Sequence, residues 1–405
     1  MPDPLARAAA EALDARDPLA SFRDRFVVDD ASVIYMDGNS LGRLPRSTEA
    51  RLHEVIRGEW GGELIRGWDH WLSLPTEVGD RLGAALLGAA AGQVVVSDST
   101  TVNLYKCAIA ALDARPDRRV ILTDSENFPT DRYVFEGLAR QRGLELRMVK
   151  SDPDDGLTVE VVAEALDDDV ALVSFSHVAY ASGAIADMAA ITELAHRAEA
   201  LVLWDLSHTV GSYPVELDAS DADLAVGCTY KYVNGGPGAP AFLYVRDRLQ
   251  GELRQPIWGW FGQRDQFEMG PAYDPEPGIA QFLVGTPPVL GLAAVDAGVA
   301  LLAEAGIDRL RAKGIALTTY LVDLHDAVLA PLGCSIGSPR DASVRGSHVS
   351  VRHPDARALC AAMIERGVIP DFRTPDRIRF GPAPITTRFV DVWDALDCLR
   401  DLLAQ

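Results

Sequence analysis

Two residues near the middle of the chain have the types and the spacing that an electron-accepting cofactor requires. Asp205 stands in WDLSH at 204–208, where an apolar run ends, and Lys231 follows in TYK at 229–231, shortly before NGGPG. A lysine amine can bond covalently to an aldehyde, and a carboxylate can keep a pyridine nitrogen protonated so that the ring accepts electrons from a carbanion. The pair predicts a pyridoxal phosphate site. The alternative is a strand-end cap at Asp205 and a solvated surface lysine at Lys231.

A helix that begins near residue 100 offers a place for the phosphate. The segment SDSTTVNLYKCAIAAL puts Thr100 and Thr101 at the start of an amphipathic helix, after the β-rich run VVVS. Free N–H groups at a helix N-terminus, together with hydroxyl groups, bind phosphate. Helix capping alone would explain the same residues, but the presence of Lys231 favours phosphate binding.

Other residues are candidates for the walls of this site. Phe128 in ENFPTDRY could lie flat on a pyridine ring and Asp131 could form a hydrogen bond with the cofactor, although a core phenylalanine in a proline turn fits the pattern too. His208 comes three residues after Asp205, close enough to support that acid or to contact the phosphate. A buried histidine bonded to the backbone is the alternative there.

Two arginines in RIRF could bind the carboxylate of a substrate. Arg377 and Arg379 are two positions apart, so on a strand they point to one face. A guanidinium group matches a carboxylate with two parallel hydrogen bonds. A surface ion pair is the alternative for at least one of the two.

The middle of the chain alternates β-rich runs with helical patterns, which predicts the α/β class with a largely parallel sheet flanked by helices. Asp124, Ser176 and Asp205 each follow an apolar run, and ligands of such sheets bind beyond the carboxyl ends of the strands. We expect three parts: an N-terminal segment that contributes to the small domain (1–70), a large cofactor-binding domain (71–305) and a C-terminal small α+β domain (306–405).

The charge of the chain argues against nucleic acid and anionic membranes as partners. The formal net charge is −21, and no cluster of Lys and Arg interrupts it. The first residues lack an apolar core, and the longest apolar stretch, from Val289, is short and contains Asp296, so we expect a cytoplasmic protein. The five cysteines are odd in number and widely spaced, which indicates neither disulfides nor a zinc site, and we expect no metal.

Several motifs in order along the chain resemble those of kynureninases. They are YMDGNSLGRLP, the ENFPTD loop, LWDLSHTVG, TYKYVNGGPG, QPIWGW, FLVGTPP and RGSHVSV, and they cover nearly the whole chain from Tyr35 to Phe380. That family consists of fold-type I pyridoxal phosphate enzymes of the aspartate aminotransferase superfamily. The resemblance implies a large domain with a mostly parallel seven-stranded sheet.

The resemblance also implies a role for individual residues. Thr100 and Thr101 would bind phosphate, Phe128 would stack on the ring, and Asp205 would pair with its nitrogen. Further cofactor contacts would come from Asp131, Ser176, His208 and Tyr230, and, from the neighbouring subunit of a homodimer, Trp260 and Thr286. Arg379 rather than Arg377 would bind the substrate carboxylate, and the remaining substrate contacts would be Trp68, Asn39 and Ser40.

The implied reaction is the hydrolysis of L-kynurenine, or its 3-hydroxy form, to anthranilate or 3-hydroxyanthranilate and L-alanine, a step of tryptophan catabolism and NAD biosynthesis. Lys231 would remove the α-proton as general base. Tyr230, its neighbour, is our hypothetical donor of the proton that returns to Cβ. These two residues and Asp205 form the predicted catalytic set.

Other functions are compatible with the same fold. A cysteine desulfurase or selenocysteine lyase would show histidine where Phe128 stands, and a reactive cysteine in a mobile loop where Val349 and Ser350 follow RGSH. An aminotransferase is open because fold does not fix the reaction. A binding protein without turnover is a further alternative, which the intact Lys231 and Asp205 oppose.

Overall fold

The computed structural model describes residues 5–405. Its helices are α1 (Arg7–Asp14), α2 (Arg46–Glu54), α3 (Trp68–Trp71), α4 (Leu74–Leu82), α5 (Thr100–Asp113), α6 (Pro129–Arg142), α7 (Val159–Ala165), α8 (Met188–Arg197), α9 (Asp247–Gln250), α10 (Val289–Ala305), α11 (Ile307–Leu324), α12 (Ala356–Glu365) and α13 (Phe389–Leu403). Its strands are β1 (Ile34–Tyr35), β2 (Val94–Val96), β3 (Val120–Asp124), β4 (Glu145–Val149), β5 (Val170–Ser176), β6 (Leu201–Asp205), β7 (Leu224–Gly227), β8 (Phe242–Val245), β9 (Ser335–Ile336), β10 (Val349–Arg352), β11 (Val368–Ile369), β12 (Asp371–Arg373) and β13 (Arg377–Phe380). Short 3₁₀ segments lie at Ala20–Arg25, Leu64–Gly67, Trp260–Gly262, Gln266–Glu268, Gly278–Phe282 and Ala330–Leu332, and π-helical turns at Val55–Glu63, Gly83–Leu87 and His325–Leu329.

The central sheet has seven strands in the order β2-β8-β7-β6-β5-β3-β4. The pairs from β7 to β4 are parallel, whereas β8 runs antiparallel to both its neighbours, β2 and β7. This confirms the predicted mostly parallel sheet. Strands β3, β5 and β6 are buried along almost their whole length, as their continuous apolar runs require.

The polar residues at the strand ends meet at one edge of this sheet. Asp124 ends β3, Ser176 ends β5 and Asp205 ends β6. Ser176 and Asp205 are register partners on adjacent parallel strands. The carboxyl edge of the sheet therefore carries the predicted polar group, as expected for an open α/β sheet.

A second, smaller group of strands lies in the C-terminal part. Strands β12, β13, β10 and β9 form an antiparallel sheet in that order, and β1 from the N-terminal part pairs with β11. Helix α1 packs on α13, whereas α2 packs on α10. These contacts are consistent with an N-terminal segment that joins the C-terminal elements, and the domain boundaries stay a prediction.

Within residues 5–405, one helix meets the length and composition of a membrane span, namely Ile307–Leu332, which includes α11. It packs on α13 and contributes Leu317 and Leu321 to an apolar core. It also contains the buried cations Arg311 and Lys313, which a lipid-facing helix would avoid. These features are typical of a core helix.

The turn that carries Lys231 lies between two glycines that contact its backbone. A Cβ at Gly42 would lie 2.3 Å from the Lys231 carbonyl oxygen, and a Cβ at Gly298 of α10 would lie 2.1 Å from the Val233 carbonyl oxygen. The Gly42 N–H donates to the Tyr230 carbonyl at 2.8 Å. Close backbone packing from both sides therefore fixes this turn.

We predict that Gly298→Ala displaces this turn. The added methyl group has no room against the Val233 carbonyl, so the free energy of unfolding should fall by about 1–3 kcal/mol and cofactor affinity should fall with it. Urea unfolding and cofactor titration measure the two effects. Gly251→Ala is the matched control, because nothing lies within 4 Å of a Cβ there. Equal behaviour of the two variants would contradict the prediction.

Candidate functional site

A cavity of about 220 Å³ opens at the carboxyl edge of the central sheet. It brings together most of the predicted cofactor residues, which come from the start of α5, the start of α6, the end of β6 and the turn after β7. Its lining consists of Ser99, Thr100, Thr101, Phe128, Thr130, Asp131, Asp205, Ser207, His208, Tyr230 and Lys231.

Lys231 differs from the other lysines of the chain in its surroundings. The sequence contains four lysines, of which Lys150 is exposed. Lys106 and Lys313 are buried but form ion pairs with acids at 2.7 and 2.5 Å. Lys231 is 8% exposed, and within residues 5–405 no acid lies within ion-pair distance of it. It is the buried amine that is left available for a ligand.

The nearest partner of the Lys231 amine is a neutral histidine. Nζ lies 3.2 Å from Nε2 of His208, and the Phe128 and Tyr230 rings lie 6.0 and 5.8 Å away. Burial, and then the positive charges of Lys231 and Arg379, hold the pKa of His208 well below its ordinary value. An uncharged imidazole orients the amine without repelling it.

Asp205 is oriented by the backbone that follows it. Its Oδ1 accepts a hydrogen bond from the Ser207 N–H at 2.8 Å, and its Oδ2 lies 3.4 Å from the Ser176 hydroxyl. The Ser176 hydroxyl also donates to Asn127 Oδ1 at 2.7 Å, and the same oxygen accepts from the Phe128 N–H. Asn127, which the sequence analysis missed, thus positions both Ser176 and Phe128.

Asp131 is almost completely buried and has a polar atom without a partner. The residue is 3% exposed, and its Oδ2 makes no hydrogen bond. Burial, and then the negative charge of Asp205, raise the pKa of Asp131 well above its ordinary value. A buried carboxyl oxygen without a partner is costly, so this wall of the cavity is suited to a ligand that supplies one.

The start of α5 has the features that the predicted anion site requires. Ser99 is the N-cap, and its hydroxyl accepts from the Val102 N–H at 3.4 Å. The N–H groups of Thr100 and Thr101 belong to the first helical turn, where intrahelical acceptors are lacking. These donors, the orphaned Asp131 oxygen and the Lys231 amine together fit the phosphate, ring substituents and aldehyde of pyridoxal phosphate.

Arg379 lies in a separate cluster of polar groups. Its guanidinium donates to Asp371 through Nε at 2.9 Å and Nη2 at 2.5 Å, and to the Tyr180 carbonyl through Nη1 at 2.6 Å. The Ser40 hydroxyl accepts from Nη2 at 3.0 Å. With its amide oxygen turned toward the guanidinium, Asn39 accepts from Nε at 2.7 Å.

Arg377 is engaged elsewhere. It donates to the Gly337 carbonyl at 2.6 Å and pairs with Asp154 at 2.5 Å, with a side chain that is 4% exposed. Both arginines lie on strand β13, but of the two only the charge of Arg379 contributes to the lowered pKa of His208. Both arginines form an ion pair, Arg377 with Asp154 and Arg379 with Asp371, and both guanidinium groups are buried rather than on the surface.

Among the predicted residues outside the cavity lining, Trp68, Trp260 and Thr286 lie together in another part of the protomer. Trp68 and Thr286 line an apolar groove of about 420 Å³, together with Val55, Trp60, Trp71, Pro287, Pro288, Val289, Leu290 and Gly291. Trp260 is 40% exposed and contacts Phe261, which in turn lies 6.2 Å from Trp68. Trp60 and Trp260 are exposed in this part of the protein, whereas Trp71 and Phe261 are buried.

His348 is a second buried histidine that the sequence analysis did not single out, although it lies within RGSHVSV. Its ring lies 5.6 Å from that of His208, it is fully buried, and neither ring nitrogen has a hydrogen-bond partner. Burial, and then the charges of Arg379 and Lys231, hold its pKa well below the ordinary value. It adds a second neutral imidazole behind the cavity.

Comparison with known proteins gives the family. Residues 310–399 match the model of the kynureninase C-terminal domain. A kynureninase from Burkholderia pseudomallei (strain 1106a) is 46% identical over 98% of this chain and 95% of its own length. A kynureninase from Pseudomonas fluorescens is 45% identical over 97% and 94%. The chain belongs to the kynureninase family. This confirms the resemblance drawn from the motifs.

Solved structures share the fold of this kynureninase-family chain at low sequence identity. The apo cysteine desulfurase from Thermococcus onnurineus NA1 superposes with a TM-score of 0.79 at 18% identity, covering 92% of this chain and 95% of that one. A C-DES mutant with glycine covalently linked to its PLP cofactor gives 0.79 at 19% identity, covering 92% and 96%. These likenesses confirm the predicted fold class.

We predict that Asp131→Asn changes the pH dependence of stability in the cofactor-free protein. Because burial raises the pKa of Asp131, the wild-type chain loses stability as pH rises from about 4, the unfolded pKa, through the folded value. The amide of the variant does not ionise, so the variant does not lose stability in this way. The free energy of unfolding of the variant minus that of wild type should therefore rise by roughly 1–3 kcal/mol between pH 5 and pH 8.

Urea unfolding at the two pH values measures this difference. Asp155→Asn, at an exposed position, is the control and should show no such change. The Asp131 variant should also bind pyridoxal phosphate more weakly, because it loses a carboxyl group that faces the ligand. A stability difference independent of pH would contradict the account of Asp131.

Proposed function

We propose that this chain hydrolyses L-kynurenine, and its 3-hydroxy form, to anthranilate or 3-hydroxyanthranilate and L-alanine, with pyridoxal phosphate as cofactor. Family membership over the whole chain supports the reaction. The observation that carries it is the buried Lys231 amine without an acid partner, which shares its cavity with Asp131 and Asp205 and contacts His208, whose pKa is also lowered by the charge of Arg379. Such a site can hold an amino acid at its amine and at its carboxylate.

The cofactor residues have separate tasks in this proposal. When bound, pyridoxal phosphate supplies an aldehyde that an amine can attach to and a protonated ring that accepts electrons. Lys231 would hold the aldehyde, and Asp205 would keep the ring nitrogen protonated. Thr100 and Thr101 would bind the phosphate at the start of α5, and Phe128 would cover the ring.

The proton transfers require residues at defined places. Lys231, released by the substrate amine, would take the α-proton as general base, with neutral His208 beside it at 3.2 Å. Tyr230 would donate the proton that returns to Cβ. Burial raises the pKa of Tyr230 above its ordinary value, so its hydroxyl stays protonated and can act as a donor.

The hydrolysis balances with one water molecule. The bond between Cβ and the carbonyl carbon breaks, the hydroxyl of water goes to the carbonyl carbon, and a proton goes to Cβ. The products are one carboxylate, anthranilate, and L-alanine. Placing this step within tryptophan catabolism follows from the substrate, and a cytoplasmic location agrees with five cysteines that are all free.

Desulfurase chemistry is less well supported. It needs a reactive thiolate at the substrate, and among the described residues no cysteine lines the cavity. Cys228, the nearest in sequence to Lys231, is 2% exposed, and burial raises the pKa of its thiol. The likeness to desulfurase structures therefore concerns the fold.

We predict that the purified protein with pyridoxal phosphate releases fluorescent anthranilate from L-kynurenine, with an equal amount of L-alanine. Lys231→Ala should reduce turnover by at least about a thousandfold, because both the base and the covalent anchor are lost. Lys150→Ala, which removes an exposed lysine, is the control. A folded, yellow wild-type protein that releases no anthranilate would overturn the proposed reaction.

We further propose a homodimer in which Trp260 and Thr286 of each protomer reach the cofactor of the other. The support is a set of exposed aromatic residues: Trp60 of the groove is 59% exposed, and near Trp260 in the chain Trp258 and Phe267 are 65% and 63% exposed. Apolar surface of this kind on a folded protein marks an interface. A symmetric dimer would bury the same surface twice.

Subunit mixing tests the shared sites. Lys231→Ala and Trp260→Ala homodimers should each be nearly inactive, but after mild unfolding and joint refolding the mixture should regain about a quarter of wild-type activity. The reason is that half of the dimers are then hybrids, each with one site free of both substitutions. No recovery in a mixture that sediments as a dimer would contradict the sharing of sites.

A further inference from the structure

The guanidinium of Arg379 is faced by one acid on the neighbouring strand. Asp371 of β12 and Arg379 of β13 are register partners in an antiparallel pair. Their side chains form two parallel hydrogen bonds, Nε to Oδ1 at 2.9 Å and Nη2 to Oδ2 at 2.5 Å. This is the two-point arrangement that fixes a guanidinium plane. The backbone register keeps the acid opposite the arginine.

The other neighbours of Asp371 hold it in the same place. The Ser40 hydroxyl donates to its Oδ2 at 3.1 Å, and Arg373 pairs with that oxygen at 2.7 Å. The side chain of Asp371 is 13% exposed. Because Asp371 is tied to two arginines and to its own strand, it stays with Arg379 rather than leaving when a ligand arrives.

The donors of Arg379 are nearly all used within this cluster. A guanidinium group has five N–H donors. Nε faces Asp371, the two hydrogens of Nη2 face Asp371 and Ser40, and one hydrogen of Nη1 faces the Tyr180 carbonyl. The Asn39 oxygen lies 2.7, 3.1 and 3.3 Å from Nε, Nη2 and Nη1, so it does not belong to one edge alone. The edge formed by Nε and Nη2 is thereby closed, which leaves the Nη1 side for a carboxylate.

We infer that Asp371 is the positioning residue that turns the Nη1 side of Arg379 toward the substrate carboxylate and so sets the affinity for an α-amino acid. The inference rests on the proposed function, and it deepens the role of Arg379. Without the paired bonds to Asp371, the guanidinium keeps only neutral acceptors, namely Asn39, Ser40 and the Tyr180 carbonyl. It can then rotate away from the carboxylate.

Steady-state kinetics of two substitutions test this role. Asp371→Asn leaves one oxygen to accept, and Asp371→Glu keeps the charge but moves the carboxylate by one methylene. Both should raise KM for L-kynurenine by about tenfold or more, with kcat within about threefold of wild type, because binding rather than chemistry is affected. Asp376→Asn is the matched control on the same hairpin, since Asp376 pairs with Arg352.

A ligand without the carboxylate separates positioning from general damage. The absorbance of the bound cofactor is followed while the decarboxylated amine analogue of kynurenine is added. Its affinity should be equal in wild type and in Asp371→Asn, whereas the affinity for L-alanine should fall by about tenfold in the variant. Circular dichroism and the melting temperature establish that each variant is folded.

Three results would overturn the inference. The first is an unchanged or lowered KM for L-kynurenine in Asp371→Asn. The second is a wild-type KM in Asp371→Glu, which would mean that Asp371 only balances the charge of Arg379. The third is a loss of affinity for the amine analogue in Asp371→Asn that equals the loss for L-alanine. If the wild-type protein fails to convert kynurenine, the proposed function fails instead. The L-alanine titration then still tests the role of Asp371.

Discussion

The buried amine of Lys231 is held in a cavity whose lining includes the carboxyl groups of Asp131 and Asp205. Its direct neighbour is the neutral ring of His208, and Oδ2 of Asp131 has no partner at all. Polar groups left in this condition inside a protein are costly. A ligand that completes these hydrogen bonds therefore stabilises the cavity, so cofactor binding and the stability of the site are coupled.

The N-terminal segment 39–42 contacts the two places that would hold an amino-acid substrate, the Lys231 turn at its amine and Arg379 at its carboxylate. Gly42 contacts the backbone of the Lys231 turn, while Asn39 and Ser40 contact the guanidinium of Arg379. The amine and carboxylate positions are thus linked through four residues of chain. The backbone contacts at Gly42 leave no space for a side chain there, so we expect a displacement at either end to affect the other.

The parts of the site that lie at the ends of strands and at the start of a helix could be predicted from the pattern of apolar residues in the sequence. Apolar runs that end in Asp124, Ser176 and Asp205 indicate buried parallel strands, and the carboxyl edge of such a sheet is where ligands bind. Capping residues before an amphipathic run likewise predict the start of α5.

Contacts between distant segments could not be predicted in this way. Asp371 faces Arg379 only because β12 and β13 pair in one register, and nothing in DFRTPDRIRF by itself selects that register. Asn127 and His348 act through side-chain contacts that depend on tertiary packing. Trp68, Trp260 and Thr286 lie outside the cavity, and this placement also depends on tertiary packing. The proposed role of Trp260 and Thr286 requires a second protomer as well.

The identity of the lysine that holds the cofactor is the central claim, and the chain has only four candidates. Borohydride treatment of the cofactor-loaded protein makes the link to a lysine permanent, and peptide mass mapping then locates it. The account predicts the label on Lys231, the buried amine without an acid partner. A label on Lys106, Lys150 or Lys313, or no label on a protein that binds the cofactor, would contradict it.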